Sequence, residues 1–105
     1  MTQPVSYFAL YRQPEDPAAF DAAYFQTHVP LVLAVPGLVE NRVHLVKRTL
    51  VGEPSYYLRA ELVFSSAEEM KAAFKTQEWA ESGANLQEWG GMELVTMFTA
   101  EPAGS

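Results

Sequence analysis

Tyr56-Tyr57-Leu58-Arg59-Ala60-Glu61-Leu62-Val63-Phe64-Ser65-Ser66-Ala67-Glu68-Glu69 changes its period part-way along. From Tyr56 to Phe64 the residues alternate: Tyr56, Leu58, Ala60, Leu62 and Phe64 point one way, and Tyr57, Arg59, Glu61 and Val63 the other. That predicts a strand with bulk on both faces. At Ser66 the pattern becomes S-x-x-E, the spacing of a capping box, in which the Ser66 hydroxyl accepts from the Glu69 N–H and the Glu69 carboxylate can reach back. A helix therefore starts directly after the strand. Helices can cover one strand face; the other, with Tyr57 and Val63, is too apolar to leave facing water, so a second sheet is expected against it.

Upstream, Gly52-Glu53-Pro54 turns the chain, and the β-prone run from Leu38 to Leu50 (Val39, Val43, His44, Leu45, Val46, Thr49) completes a hairpin. Further back, Val5 to Arg12 reads as a strand that stops at Gln13-Pro14-Glu15-Asp16-Pro17. Asp16 before Pro17 starts a helix, since the carboxylate accepts from free N–H groups and the proline gives up a donor that had no partner. Phe20, Ala23, Tyr24, Thr27, His28 and Leu31 then share one helical face. Pro30 predicts an end or kink there, with Pro30 to Val35 as a short apolar continuation closed by Pro36-Gly37. Downstream, Met70, Ala73 and Phe74 give the second helix its apolar stripe, and Thr76 to about Trp89 forms a further helical segment with Trp79 and Leu86 inward. Gly90-Gly91 breaks it, Glu93 to Ala100 is a closing strand, and Glu101 to Ser105 is a tail. The order βαββαβ predicts an α+β ferredoxin-like sandwich.

The chain has 105 residues, so residues 1–105 are expected to form a single domain with a modest core that a partner subunit would help. Hydrophobic residues make up 49% and charged residues 19%, a globular composition. Thirteen acidic against seven basic side chains give a formal charge of -6, and no more than two Lys/Arg are adjacent, so no nucleic-acid partner is expected. There is no cysteine, hence no disulfide, thiolate metal site or cysteine nucleophile. The N-terminus lacks a basic start and no run approaches the ~20 apolar residues of a membrane span, which leads to the expectation of a cytoplasmic protein with no membrane partner.

Several segments carry a family resemblance. These are Tyr11-Arg12-Gln13-Pro14; Phe20 and Tyr24; His28-Val29-Pro30-Leu31-Val32; Pro36-Gly37-Leu38; and Ala60-Glu61-Leu62-Val63-Phe64-Ser65-Ser66. Together they resemble the EthD family of dimeric α/β-barrel proteins over nearly the whole chain, from about residue 7 to residue 98. The most specific piece is His-x-Pro-Leu followed by Pro-Gly-Leu after a strand ending in Arg. Members commonly carry a Trp where this chain has Phe25, a departure that bears on pocket shape. The resemblance implies a homodimer whose sheets meet face to face, with a pocket between sheet and helices. EthD-like proteins are associated with bacterial degradation gene clusters. Similar barrels include lactone isomerases, polyketide cyclases, cofactor-free monooxygenases and haem-handling proteins, among which fold analogy cannot choose.

His28 is the sharpest catalytic candidate, an imidazole on an inward helix face that can serve as general base or acid. The alternative is a buried histidine bonded to backbone at the kinked helix end. Tyr24 and Tyr11, with Tyr7, could offer a phenol to an oxyanion or simply fill the core. Arg59 could bind a substrate carboxylate, or belong with Glu61 to a polar network at the dimer interface. Trp79 and Trp89, about three helical turns apart, could line an aromatic-accepting pocket or pack helix on sheet. His28 and His44 fall on different elements without ligand spacing, so no metal and no cofactor are expected; an axial His28 to haem rests on family analogy alone. Gly90-Gly91 precedes a strand, the wrong context for a phosphate cradle. Two functions stay open. One is a cofactor-independent lyase, isomerase or cyclase on a small oxygenated or aromatic metabolite; the other is a non-catalytic ligand-binding accessory to a neighbouring oxygenase. A polar pocket joining His28 to a tyrosine hydroxyl favours the first, a dry featureless cavity the second.

Overall fold

The computed structural model describes residues 3–103; Met1 and Thr2 of the N-terminus and Gly104 and Ser105 of the tail lie outside the described residues. Strands β1 (Val5–Arg12), β2 (Leu38–Leu45), β3 (Tyr56–Phe64) and β4 (Val95–Ala100) form one antiparallel sheet in the order β2-β3-β1-β4. Helices α1 (Pro17–Ala23) and α2 (Val29–Leu33) link β1 to β2, and α3 (Ala67–Ala73) and α4 (Gln77–Trp89) link β3 to β4. This is the ferredoxin-like α+β plan. The core forms where Val5, Ala9 and Tyr11 of β1 and Leu58, Leu62 and Phe64 of β3 meet Phe20, Val32, Met70 and Leu86 from the helices. Alternation then sends Ser6, Phe8 and Leu10, with their partners Val63, Glu61 and Arg59, to the opposite face, which no helix among the described residues covers.

Side-chain caps set the helix starts. Asp16 Oδ1 accepts from the Ala19 N–H at 3.1 Å, Ser66 Oγ from Glu69 at 3.1 Å and Thr76 Oγ1 from Trp79 at 3.2 Å. Gly90, with φ of 87°, supplies the left-handed residue that ends α4. The closing strand begins at Val95 rather than Glu93, because Gly91–Glu93 first makes a tight turn whose N–H groups of Glu93 and Leu94 bond to Gly90 and Gly91.

Pro30 does not end the first helical segment. A wide turn, Tyr24–His28, precedes it, closed by a bond from the Val29 N–H to the carbonyl of Tyr24 five residues back. A proline clashes with the carbonyl four residues before it, here Gln26, and cannot donate to it. Adding a residue to the turn accommodates both demands, and the helix continues as α2.

The hairpin differs from expectation in two places. Pairing stops at Leu45, not Leu50, apart from a 2.8 Å bond from the Val46 N–H to the Tyr57 carbonyl; Leu50 and Val51 are 81% and 91% exposed, so no buried surface rewards a longer strand. In β3, Leu58 pairs with Tyr11 but Tyr56 with Arg12, which leaves Tyr57 as the extra residue of a bulge. Its ring meets Phe20 edge-on at 5.4 Å and its hydroxyl donates to Asp21 Oδ1 at 2.7 Å. Tyr57 thus belongs to the helix side, and the uncovered face keeps only Arg59, Glu61 and Val63 of the residues assigned to it from β3. A second bulge lies at Val39, where the β2–β3 register slips between Leu38 and Glu40.

Because Ser66 satisfies the start of α3, Ser66→Ala should lower stability by about 1 kcal/mol. The urea midpoint should fall with an unchanged slope. Exposed Glu68→Gln serves as the control and should stay within about 0.5 kcal/mol of the parent.

Candidate functional site

At the centre of the sheet's helix face Ala9 and Ala60 pair directly across β1 and β3. Two methyl-sized side chains there leave room, while their neighbours along each strand, Tyr7, Tyr11 and Leu62, stand taller. The result is a cavity of about 130 Å³ between this floor and the helices. Tyr24 and His28 enter from the wide turn, and Trp79 and Leu86 from α4. The volume is well below the roughly 300–1,000 Å³ of pockets for drug-sized ligands and cofactors, so a haem has no room.

Four residues apart, Tyr24 and His28 fall on the same face, their ring centroids 5.4 Å apart. Tyr11 meets Tyr24 edge-on at 5.4 Å, so an aromatic chain runs from sheet to imidazole. On the other side, Trp79 stands edge-on to Tyr7 at 4.9 Å, and the Tyr7 hydroxyl donates to Met97 Sδ.

The electrostatics follow from burial. His28 is 5% exposed, and its Nδ1 is buried without a hydrogen-bond partner. Burial pushes the imidazole down to about 4, against a smaller upward pull from the Asn85 side chain. It is therefore neutral at pH 7, one nitrogen a donor and the other an acceptor. Burial pushes the Tyr7 phenol up to about 12. Tyr24 also moves upward through burial, as does Tyr11, which is raised further by Tyr24 and Tyr7 beside it. The phenols are thus O–H donors at neutral pH. A neutral imidazole and phenolic donors share one water-poor space. That set can take a proton from a weak acid and hydrogen-bond the oxyanion left behind.

His28, Tyr24, Tyr11, Tyr7 and Trp79 are thereby brought together, whereas two other candidates lie elsewhere. Arg59 sits on the opposite face of the sheet, where its Nη2 donates to Glu61 Oε1 at 3.0 Å and its Nη1 lies 3.0 Å from His44 Nδ1. It does not line the cavity, because it alternates with Leu58 and Ala60. Trp89 packs edge-on against Phe20 at 5.3 Å and donates to Asn85 Oδ1 at 2.9 Å, outside the cavity wall. The ten-residue step from Trp79 to Trp89 makes about 2.8 turns, so the indoles diverge by roughly 80° and cannot line one pocket. Phe25 is 41% exposed and flanks Tyr24 from outside.

Met97, Ser82 and Gly83 also line the cavity and were not singled out in the sequence. Alternation in β4 places Met97 on the helix side, and Ser82-Gly83, one turn after Trp79, is a small pair that leaves space beside the indole. Among the described residues no group of three or more His, Cys, Asp or Glu could hold a metal ion, and no helix is long and apolar enough to cross a membrane.

The EthD domain model matches residues 12–88. The chain belongs to the EthD family. An uncharacterized 11.0 kDa protein of Rhodococcus erythropolis, encoded between thcB and thcC, is 34% identical over 100 residues, covering 88% of this EthD chain and 89% of the relative. The crystal structure of an ethyl tert-butyl ether D family protein from Bacillus halodurans matches with a TM-score of 0.87 at 35% identity, covering 95% of this chain and 99% of that one. A hydroxynitrile lyase from Passiflora edulis has the same fold, with a TM-score of 0.75 at 12% identity and 100% and 98% of the two chains covered.

His28 links folding to pH. Between about 6.5 and 4 the unfolded chain holds a proton on this imidazole that the folded chain does not, so stability falls as pH drops through that window. The loss should reach about 3 kcal/mol. Urea midpoints measured from pH 7.5 to 4 should show it, and in His28→Gln that component of the slope should vanish.

Proposed function

We propose that this EthD chain is a homodimeric small-molecule pocket protein whose cavity moves a proton on a small oxygenated metabolite without a cofactor, as a lyase, isomerase or cyclase. One observation carries the reading: a buried imidazole with an unpartnered Nδ1 lines the same uncharged cavity as Tyr11 and Tyr24. A histidine retained for structure alone has its polar atoms satisfied, because leaving one unpaired costs about 1–3 kcal/mol. The neutral imidazole accepts a proton from the carbon or oxygen acid, a phenol donates to the resulting oxyanion, and the imidazolium returns the proton at the product position. Burial disfavours the imidazolium, so the proton is held only briefly. A hydroxynitrile lyase of this fold is compatible with such chemistry, although fold alone assigns no reaction.

The test is deuterium exchange into a panel of small ketones, aldehydes and lactones in D2O, followed by proton NMR. The wild-type protein should catalyse loss of a C–H signal next to the carbonyl; His28→Gln, stable because the amide keeps one neutral hydrogen bond, should be slower by about 10² or more. Binding without exchange would instead favour the accessory role beside an oxygenase. A fully active Gln variant would end the role of His28.

The homodimer is proposed to form through the uncovered sheet face. There Phe8 and Phe98 stack at 5.3 Å, the Arg59 guanidinium lies 5.0 Å over Phe8, and Phe98 is 44% exposed in the single chain. Glu61 accepts from Ser6 at 2.7 Å and pairs with Arg59 at 3.0 Å and Arg42 at 3.6 Å, contacts that hold its carboxyl below the usual carboxylate range, Ser6 most of all. Aromatic surface around a fully partnered carboxylate suits a face buried by a second copy. Sedimentation at micromolar concentration should give a dimer. Glu61→Lys should weaken it by about 3–5 kcal/mol, since it leaves like charges together in the interface. Glu68→Lys, exposed on α3, should leave the dimer intact.

A further inference from the structure

The walls of the cavity specify more than its existence. No Lys, Arg, Asp or Glu lines it, and Arg42 and Arg59, the cations of the described ion pairs, lie across the sheet in the Glu61 network. A carboxylate, phosphate or sulfonate entering here would surrender its hydration without meeting a counter-charge. Size is a second limit. Apolar cavities of about 150 Å³ accept benzene, so the present 130 Å³ corresponds to one ring and few substituents. Shape is a third: the floor is the Ala9–Ala60 pair, Trp79 and Met97 bound one side, and Tyr11, Tyr24 and His28 crowd the other. On the Trp79 side the hydroxyls of Tyr7 and Ser82 are already donated, to Met97 Sδ and to the Trp79 carbonyl, so the polar groups left to a ligand are those of Tyr11, Tyr24 and His28.

Resting on the reading of this cavity as a ligand site, we infer that its ligand is an electrically neutral, single-ring carbonyl compound whose oxygen accepts from Tyr11 or Tyr24 and whose ring lies over the Ala9–Ala60 floor toward Trp79. Carboxylated, phosphorylated and carrier-bound substrates are excluded on charge, and fused-ring substrates on volume. The phenols select for an acceptor oxygen, because a hydrocarbon would leave their hydroxyls without a partner. His28 then faces the ring carbons beside the carbonyl, the position its proposed proton transfer needs.

The experiment is binding to the intact protein at pH 7.5 of four probes, benzaldehyde, cyclohexanone, benzoate and 2-naphthaldehyde, read by amide chemical-shift changes at cavity residues. Benzaldehyde and cyclohexanone should shift cavity amides, with benzoate and 2-naphthaldehyde binding at least ten-fold more weakly. Tyr24→Phe should weaken benzaldehyde several-fold without weakening toluene. Ala60→Val, which raises the floor, should weaken both, with a retained melting transition to show that it folds. Benzoate binding in the cavity as tightly as benzaldehyde would overturn the neutral ligand while leaving the cavity as a binding site. Tighter binding of 2-naphthaldehyde would overturn the single ring. If none of the probes, benzoate included, moves a cavity resonance, the ligand-site reading falls and this inference with it.

Discussion

Pro30 has no N–H to give and a ring that collides with the carbonyl of Gln26, yet it lies inside a helical segment that the fold needs to be continuous. The segment must span from β1 back to the far edge of the sheet, and a break would leave Val32 and Val35 without their places in the core. The resolution is one wide turn, Tyr24–His28, closed by the bond from Val29 to Tyr24. Tyr24 and His28 are the residues that this turn displays toward the sheet, and both are almost completely buried. The backbone accommodation of a proline and the composition of the cavity wall are therefore the same structural event, and the polar end of the cavity depends on it.

The sheet supplies the complementary half. Large side chains at Tyr7, Tyr11, Leu58 and Leu62 surround the small pair Ala9 and Ala60, and antiparallel register sets the two alanines opposite each other. A larger residue at either position would close the space under the helices. What remains is polar at the turn, apolar at the floor, and free of formal charge. The sheet carries an ion-pair network on its other face instead, where Glu61 is held by Ser6, Arg59 and Arg42. One sheet thus separates two environments, and alternation along β1 and β3 decides which residue meets which.

Much of this was legible in the sequence wherever a local rule operated alone. Asp16-Pro17 and Ser66 with Glu69 announced helix starts through hydrogen-bonding chemistry, and Gly90 a helix end through its freedom at positive φ, none of which needs a tertiary partner. The period-two pattern of β3 placed Leu58, Ala60, Leu62 and Phe64 in the core, and the helical spacing of Phe20, Tyr24 and His28 turned them inward. The rest depended on choices that local rules leave open. A proline can stop a helix or widen it, and only the demand for continuity from Phe20 to Val32 selects the second. Tyr57 left its predicted face because a bulge let its ring reach Phe20 and its hydroxyl reach Asp21. Trp89 missed the cavity through a fraction of a helical turn, and Arg59 lay across the sheet because strand parity overrides chemical suitability. Met97 carries no functional motif in its thioether, although the parity of β4 already sets it on the helix side.

The bulge at Val39 acts on the sheet's outer boundary. Strand β2 is an edge, and an edge of unpaired amides and carbonyls is a template on which further strands can grow. Here the slip between Leu38 and Glu40 kinks the edge, and Glu40 and Arg42, paired at 3.0 Å and both about half exposed, stand along it. An incoming strand would have to match a broken register while desolvating two charges. Lateral growth into fibrils from this edge is thereby discouraged; the proposed association through the sheet's face is of the opposite kind, a two-fold contact that consumes its own surface in one step and terminates.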